Sequence, residues 1–487
     1  MEHLNLFEEA PNLRPILNIG CLLDIPTGRY YTGKHGESIL NGGLAYITGL
    51  GGMGNMFKST VAHYMAQTVF ARYTASTLNV YDTEISVTIA RLQELLWFNP
   101  SLTDEQRMAL DLENEPRFKL TSSDKMLGDA WFDAIKEAAK LRQKDYKKYS
   151  GTLPFLDRDG KPMTGLLPFV AEVDSLSTFT TDSIATMHGK NSIGSSGNNT
   201  DSLRGAGAKS QMLFQLPGTT AGGGCYMIMT AHMGLEHQLD PRAMPIKKLA
   251  YMKQKITFKN VPQNFTMLTN NCWYISGAYP LANDTTKAPE FPRDGEDDMK
   301  GDTDLMILTV QNLRAKNGPA GMPFDIIVSQ SEGVQVGLSE FYYIRRFERY
   351  GLGGHDRSYY LELYPDCKLS RTTIRGKLDE DEALARAMTI TSELCQIENL
   401  YHDLDDKYKC TPKELYDDLI AKGYDWKVLL NTRGYWTFEE EAKQHKPFLS
   451  TMDLLKMKAG EYHPYWHPAV TKVKTTAVPG MILQEAA

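Results

Sequence analysis

No segment restricts the fold of this chain as much as the run Thr48-Gly49-Leu50-Gly51-Gly52-Met53-Gly54-Asn55-Met56-Phe57-Lys58-Ser59-Thr60. An apolar stretch (45–47) leads into a loop dense in glycine. The loop ends in Lys-Ser, and residues 61–72 read as a helix. Strand, glycine loop and helix in that order build a cradle for phosphate. Glycines let backbone N–H groups converge on an anion, the new helix points its positive end at it, and Lys58 adds a mobile cation. Ser59 offers a hydroxyl to Mg²⁺. The residues expected to line this cradle are Gly51, Gly52, Met53, Gly54, Asn55, Met56, Phe57, Lys58, Ser59 and Thr60. The P-loop spacing G-x-x-x-x-G-K-[ST] is met from Gly52, except that Phe57 replaces the last glycine. A side chain there predicts a backbone that avoids positive φ.

A chain of 487 residues has room for a large core and two or three domains. No run of about twenty apolar residues occurs, which argues against a membrane-spanning helix. The acidic start, with Glu2, Glu8 and Glu9, lacks the apolar segment of a secretory signal. The cysteines (Cys21, Cys225, Cys272, Cys367, Cys395 and Cys410) are scattered without a C-x-x-C pair. That pattern predicts reduced thiols in a cytoplasm and no zinc site. The net charge of −7 excludes a protein that is basic as a whole. Its distribution is uneven. Residues 241–283 contain no Asp or Glu, yet hold Arg242, Lys247, Lys248, Lys253, Lys255 and Lys259. Such a block can hold a polyanion on an acidic protein, or be a solvated surface.

From residue 15 to about 347, apolar strand-like runs alternate with helical or glycine-rich segments, the pattern of an α/β domain with a mostly parallel sheet. Strands are expected at 44–48, 77–81, 169–173, 226–230, 272–275, 305–310 and 324–328. Several are continuously apolar, as strands buried on both faces are. Residues 127–149 read as a helix. The stretch 189–210, crowded with Gly, Ser and Asn, reads as a mobile loop, and 284–304 as an acidic insertion. Residues 1–14 form a short arm, 15–350 the core, and 351–487 a smaller mixed, largely helical C-terminal region with helices near 379–408 and 411–422.

Acidic residues close two of these strands. Asn79-Val80-Tyr81-Asp82-Thr83-Glu84 places Glu84 where a carboxylate can orient and activate a water beside a γ-phosphate. Phe169-Val170-Ala171-Glu172-Val173-Asp174-Ser175 offers Asp174 as a Mg²⁺ holder, with Glu172 as the weaker rival on the same side. A third strand runs through Thr230-Ala231-His232. Its polar end can touch the γ-phosphate and pass its loss on to the basic block.

With these pieces in order, the chain resembles the RecA family of DNA-strand-exchange ATPases, and within it the UvsX-type phage recombinases. Residues 17–28 are similar to the family's entry segment. The Phe57-Lys58-Ser59 ending is similar to the UvsX form of the loop, which also lacks the last glycine. Tyr81-Asp82-Thr83-Glu84, Val173-Asp174-Ser175 and Thr230-Ala231-His232 resemble its catalytic, Walker B and sensor strand ends. The resemblance implies a RecA-like P-loop NTPase core with two DNA-binding loops, here about 178–209 and 233–263. Lys190, Arg204 and Lys209 fall in the first, and Arg242, Lys247, Lys248, Lys253, Lys255 and Lys259 in the second. Tyr251 and Phe258, set among those lysines, can pack against bases or serve loop and core packing. The resemblance also implies ATP and Mg²⁺ at the seam between subunits, with Arg314 and Lys316 reaching across from the next copy. Phe7-Glu8-Glu9-Ala10 resembles a subunit-docking peptide.

The implied activity is DNA-dependent ATP hydrolysis driving a filament on single-stranded DNA, then pairing with duplex DNA for recombination and repair. Loader or single-strand-binding proteins are implied partners, and a host cytoplasm the place. Two departures stand out. Arg91 falls where relatives place a tyrosine on adenine, and the Glu84-to-Asp174 interval is long, with 127–149 and 151–165 as inserted material. Two alternatives remain open: a ring-forming helicase of the DnaB type, and a nucleotide-binding DNA scaffold that hydrolyses weakly.

Overall fold

Short apolar strands carrying parallel neighbours must be covered on both faces, and that requirement organises this molecule. In the computed structural model, the described residues are 14–157, 159–190, 201–235, 251–252, 256–283, 285, 287–293, 304–355 and 357–468. The central sheet contains Ile47–Gly52 (β1), Thr77–Asp82 (β2), Phe118–Ser122 (β3), Phe169–Asp174 (β4), Cys225–Leu235 (β5), Ile256–Phe258 (β6), Asn271–Pro280 (β7), Leu305–Ala315 (β8), Pro323–Ser329 (β9) and Gly333–Val334 (β10). Their order is β10-β9-β8-β7-β1-β5-β4-β2-β3, with β6 paired to β5. The strands from β7 to β3 in that order run parallel, while β8, β9 and β10 continue the sheet antiparallel. The chain is thus a mixed α/β protein with a large, mostly parallel sheet.

Strand alternation divides the core between the two faces. On one, Leu50, Val80, Val170 and Ile228 pack under Lys58–Arg72 (α1), which buries Val61, Ala62, Met65 and Val69. On the other, Tyr81, Ala171, Val173, Met227 and Met229 meet Trp131, Phe132 and Ile135 of Gly128–Lys144 (α3) and Met212, Leu213 and Leu216 of Asp201–Gly223 (α5). Ile89–Trp97 (α2) and Asp182–Lys190 (α4) complete the helices of this half. Val336–Arg346 (α6) and Glu382–Leu400 (α7) pack against each other beyond the antiparallel wing.

The first strand differs from its expected bounds. It begins at Ile47 and runs through the glycines to Gly52. Two of those glycines serve packing: a Cβ on Gly49 would stand 2.7 Å from the Phe265 ring, and one on Gly51 2.7 Å from Met233 Sδ. The stretch 189–210 also departs from expectation, because α5 begins at Asp201. At the far end of that helix Gly223 serves packing, since a Cβ there would come within 2.4 Å of Ala139 Cβ on α3. Sequence periodicity passed over β3 at the sheet edge and the small sheet Leu352–His355, Ser358–Leu361, Tyr364–Leu369. Within the expected insertion, 151–165, Ser150–Leu156 pairs with Pro162–Leu166 as a hairpin.

The C-terminal region expected from 351 shares the core of the first half. Trp436 is buried edge-on to Tyr73 and Phe155. Its indole donates to the Ile16 carbonyl at 3.0 Å, and its backbone N–H to Asn18 Oδ1 at 3.2 Å. Trp436→Ala should cost about 3–5 kcal/mol through the cavity it leaves. Urea unfolding should then show one transition at lower denaturant; a wild-type midpoint contradicts a shared core.

Candidate functional site

Register gathers the site. Gly52 on β1 lies opposite His232 on β5, and Asp174 on β4 lies opposite Asp82 on β2. The carboxyl ends of these strands therefore finish at one edge, the place where open parallel sheets bind ligands.

The glycine loop, residues 53–57, follows β1 at that edge. Asn55 has φ 56° and Phe57 has φ 55° and ψ 26°, both left-handed. The expectation that Phe57 avoids positive φ is thus corrected. A left-handed non-glycine residue costs about 1–2 kcal/mol, and the half-buried Phe57 ring packs against the core below α1 to offset it. A Cβ on Gly54 would meet nothing within 4 Å, so the loop is open there. Helix α1 starts at Lys58 with no side-chain cap and no acidic residue in its first turn. Its first N–H groups and its dipole are therefore left to an outside anion. Ser59 and Thr60 are half-buried in that turn.

Lys58 is buried, and its ammonium donates to the Met53 carbonyl at 2.7 Å. Burial lowers its pKa, opposed by the nearby charges of Asp174 and Glu84. Gly52 makes room for it, since a Cβ there would stand 3.2 Å from Lys58 Cγ. On its own loop's carbonyl, the lysine occupies a position it can exchange for a phosphate oxygen.

The two candidate carboxylates sit opposite. Asp82 accepts the backbone N–H groups of Glu84 (2.9 Å), Ser86 (2.7 Å) and Val87 (2.8 Å). That clamp shapes the turn presenting Glu84 and holds Ile85 at φ 53°. Glu84 Oε1 lies 2.7 Å from His232 Nε2 and accepts the Ser175 hydroxyl at 2.9 Å. Burial raises the Glu84 pKa, but the bonds from His232 and Ser175 and the charges of His232 and Lys58 prevail, and it lies below the usual carboxylate range. Asp174 Oδ1 accepts the Thr230 hydroxyl at 2.5 Å, while Oδ2 has no protein hydrogen-bond partner among the described residues. A carboxylate close enough to act on Lys58, the first residue of α1, is of the type that suits Mg²⁺, which takes one or two carboxylates and completes its shell with phosphate and water.

Glu172 does not join this edge, contrary to its place as a rival to Asp174. It is buried 2.7 Å from His63 of α1. Burial disfavours the His63 cation, and the Glu172 carboxylate more than restores it. This contact lies between α1 and β4, inside the core. Thr83, Ser175, Ser177 and Thr230 had no role assigned from the sequence. Their signal was slight: hydroxyls alternating with apolar residues at strand ends.

The remaining expected site residues divide. Arg91 is anchored by Glu94 (3.1 Å) and by the carbonyls of Ser331 (2.7 Å) and Gln330 (2.5 Å). Arg314 lies opposite Cys272, which lies opposite Gly49, so it is set back toward the far end of β1. Lys316 follows at that end, where burial, Arg314 and Arg14 together lower its pKa. Within one chain both stand away from the end of β1 that leads into the glycine loop. Lys190 and Arg204 are exposed, and Arg204 touches Met187 of α4. Lys259 donates to the Leu235 carbonyl at 2.5 Å. Lys209 is corrected as a strand contact: it is buried, and its ammonium donates to the carbonyls of Ser177 and Asn260, each at 3.0 Å. Burial pulls its pKa down to about 8. Arg242, Lys247, Lys248, Lys253 and Lys255, with the 7–10 peptide, lie outside the described residues.

No protein-family model and no curated protein matches the chain. Among the described residues, no helix is long and apolar enough to cross a membrane, and no group of three or more His, Cys, Asp and Glu side chains gathers as a metal cluster.

A depressed carboxylate contributes stability that is complete above its unfolded pKa and is lost as pH falls through its lower folded pKa. His232→Ala should therefore raise the Glu84 midpoint toward the ordinary value and shift that loss to higher pH. Carbon NMR titration of the Glu84 carboxyl reads it directly, and an unmoved midpoint contradicts the assigned pairing.

Proposed function

We propose that this chain is an ATPase with a RecA-like core that assembles along single-stranded DNA and exchanges strands with a duplex. The observation that carries the reading is the meeting of Lys58, Asp174 and the Glu84–His232 pair at one sheet edge, beside an open glycine loop and an uncapped helix start. The order of strands supports it too, because the acidic strand β4 is separated from β1 by β5, whose end bears His232.

ATP would lie with its phosphates along residues 53–60. Lys58 leaves the Met53 carbonyl for the β- and γ-phosphate oxygens, and backbone N–H groups of the loop and first helical turn bind the rest. Ser59 and Asp174 are the residues that would hold Mg²⁺, which would supply neutralisation of phosphate charge there. Glu84, ionised and held by Ser175 and His232, orients a water and takes its proton as the oxygen attacks the γ-phosphorus; the bond to the ADP oxygen breaks. When inorganic phosphate leaves, His232 loses a neighbour. Its backbone N–H is bonded to Ser177 Oγ at 2.8 Å, and its carbonyl accepts the Lys259 N–H at 2.9 Å, so a shift there reaches Lys259, the last cation of the basic block. Arg314 and Lys316, set away from their own loop, suit a neighbouring copy's nucleotide. Nucleotide state alters the polymer's grip on DNA only if the two states bind the strand differently.

Glu84→Gln should leave nucleotide affinity near wild type and slow hydrolysis about 10²–10⁴-fold, the usual worth of a general base; a wild-type single-turnover rate places the base elsewhere. Replacing Lys247, Lys248, Lys253 and Lys255 together should weaken single-strand binding and flatten its salt dependence by roughly 0.7 for each phosphate no longer neutralised. An identical slope removes that segment from the interface. Electron microscopy with single-stranded DNA and a slowly hydrolysed ATP analogue tests the assembly. Continuous helices agree with it, whereas closed rings or isolated particles contradict it.

A further inference from the structure

Residues of β8, β9, α6 and α7 line a cleft that shares no side chain with the site described above. Its volume is about 350 Å³ counted to its mouth. Leu22, Phe324, Tyr343 and Leu400 give it apolar walls, and the part-exposed Met322 marks its opening. Among the described residues lining it, none carries a charge. Clefts of this size and character take small molecules, which a few polar groups then orient.

Two amides supply those groups. Asn312 of β8 and Gln396 of α7 line the cleft, and each is only 2% exposed. Asn312 uses its oxygen to accept the Arg314 backbone N–H at 3.0 Å. Gln396 uses its nitrogen to donate to the Ser392 carbonyl, one helical turn back, at 3.3 Å. Those bonds fix which end of each amide is which. Asn312 Nδ2 and Gln396 Oε1 are left buried, with no hydrogen-bond partner among the described residues. The first is a donor and the second an acceptor. Buried atoms of this kind are costly and rare in a native fold, and a complementary pair in one apolar cleft can orient a single guest.

The backbone beside the cleft is strained as well. Cys21 (φ 50°) and Leu22 (φ 67°) are successive left-handed residues. Asp24 clamps their turn by accepting the N–H groups of Ile19 (2.8 Å) and Gly20 (2.9 Å). Backbone outliers persist where the surroundings fix them, and they gather at ligand sites.

We propose that this cleft binds a neutral, mostly apolar molecule carrying an amide, whose carbonyl accepts from Asn312 Nδ2 and whose N–H donates to Gln396 Oε1. An ion is disfavoured, because no wall residue balances its charge and an unpaired buried charge is costly. The apolar walls supply affinity. The two amides supply selection, since a guest without the N–H leaves Gln396 unsatisfied.

The test is ligand-observed saturation-transfer NMR on the full chain, with ε-caprolactam and cycloheptanone as probes. Both are seven-membered ring carbonyl compounds, and only the lactam has the N–H. Saturable binding of the lactam is expected, about tenfold tighter than that of the ketone, the worth of one buried hydrogen bond. Gln396→Met keeps the length of the side chain and removes the acceptor. It should abolish the preference for the lactam while near-UV circular dichroism stays unchanged. No saturable lactam binding, equal binding of the two probes by the wild type, or a lactam preference that survives Gln396→Met overturns the proposal. None of these outcomes bears on Lys58.

Discussion

Parallel pairing of β1, β5, β4 and β2 governs everything else in the molecule. Because Gly52 faces His232 and Asp174 faces Asp82 in register, four strand ends carry their polar residues to one edge without any loop having to place them. A slip of one residue in any pair would turn Asp174 or His232 to the opposite face. The slip is opposed by burial on both sides of the sheet: Val170 and Ile228 belong to the core under α1, Val173 and Met229 to the core under α3 and α5. The site therefore inherits its precision from packing that has no chemistry of its own.

Hydrogen bonds continue that precision outward. Glu84 is tied to His232, His232 to Ser177, Ser177 to Lys259, and buried Lys209 joins the carbonyls of Ser177 and Asn260. The segments after β4 and around β6 thus meet in a single polar knot directly behind the sheet edge. The buried ammonium is the costly member, and its two carbonyl acceptors are what make it tolerable in the interior. His232 also touches the basic block directly, its carbonyl accepting the Lys259 N–H at 2.9 Å.

Much of this was legible in the residues because the informative signals were local. Apolar runs ending in Asp or Glu gave β2 and β4, and glycine density before Lys58 gave the loop. Composition failed where packing overrode it. Gly205 and Gly207 signalled a loop but lie in α5, a helix held by its Met212, Leu213 and Leu216 face. Phe57 signalled an ordinary backbone but is left-handed, because its ring finds a place in the core. Glu172 looked like a metal ligand from strand alternation, and only the three-dimensional position of His63 on α1 shows why it is buried instead. Ser175, Ser177 and Thr230 are small hydroxyls whose roles arise from partners more than fifty residues away, which no periodicity reports.

At the heart of the proposed chemistry, Lys58, now bonded to Met53, exchanges that carbonyl for a triphosphate facing Glu84. Structure determination with Mg²⁺ and a slowly hydrolysed ATP analogue reads that exchange without intermediaries. The prediction is a β–γ phosphate pair over the first turn of α1, with the Lys58 ammonium on its oxygens and the Glu84 carboxylate across from the γ-phosphorus. A nucleotide bound elsewhere, or a Lys58 still held by Met53 in the loaded protein, would contradict it.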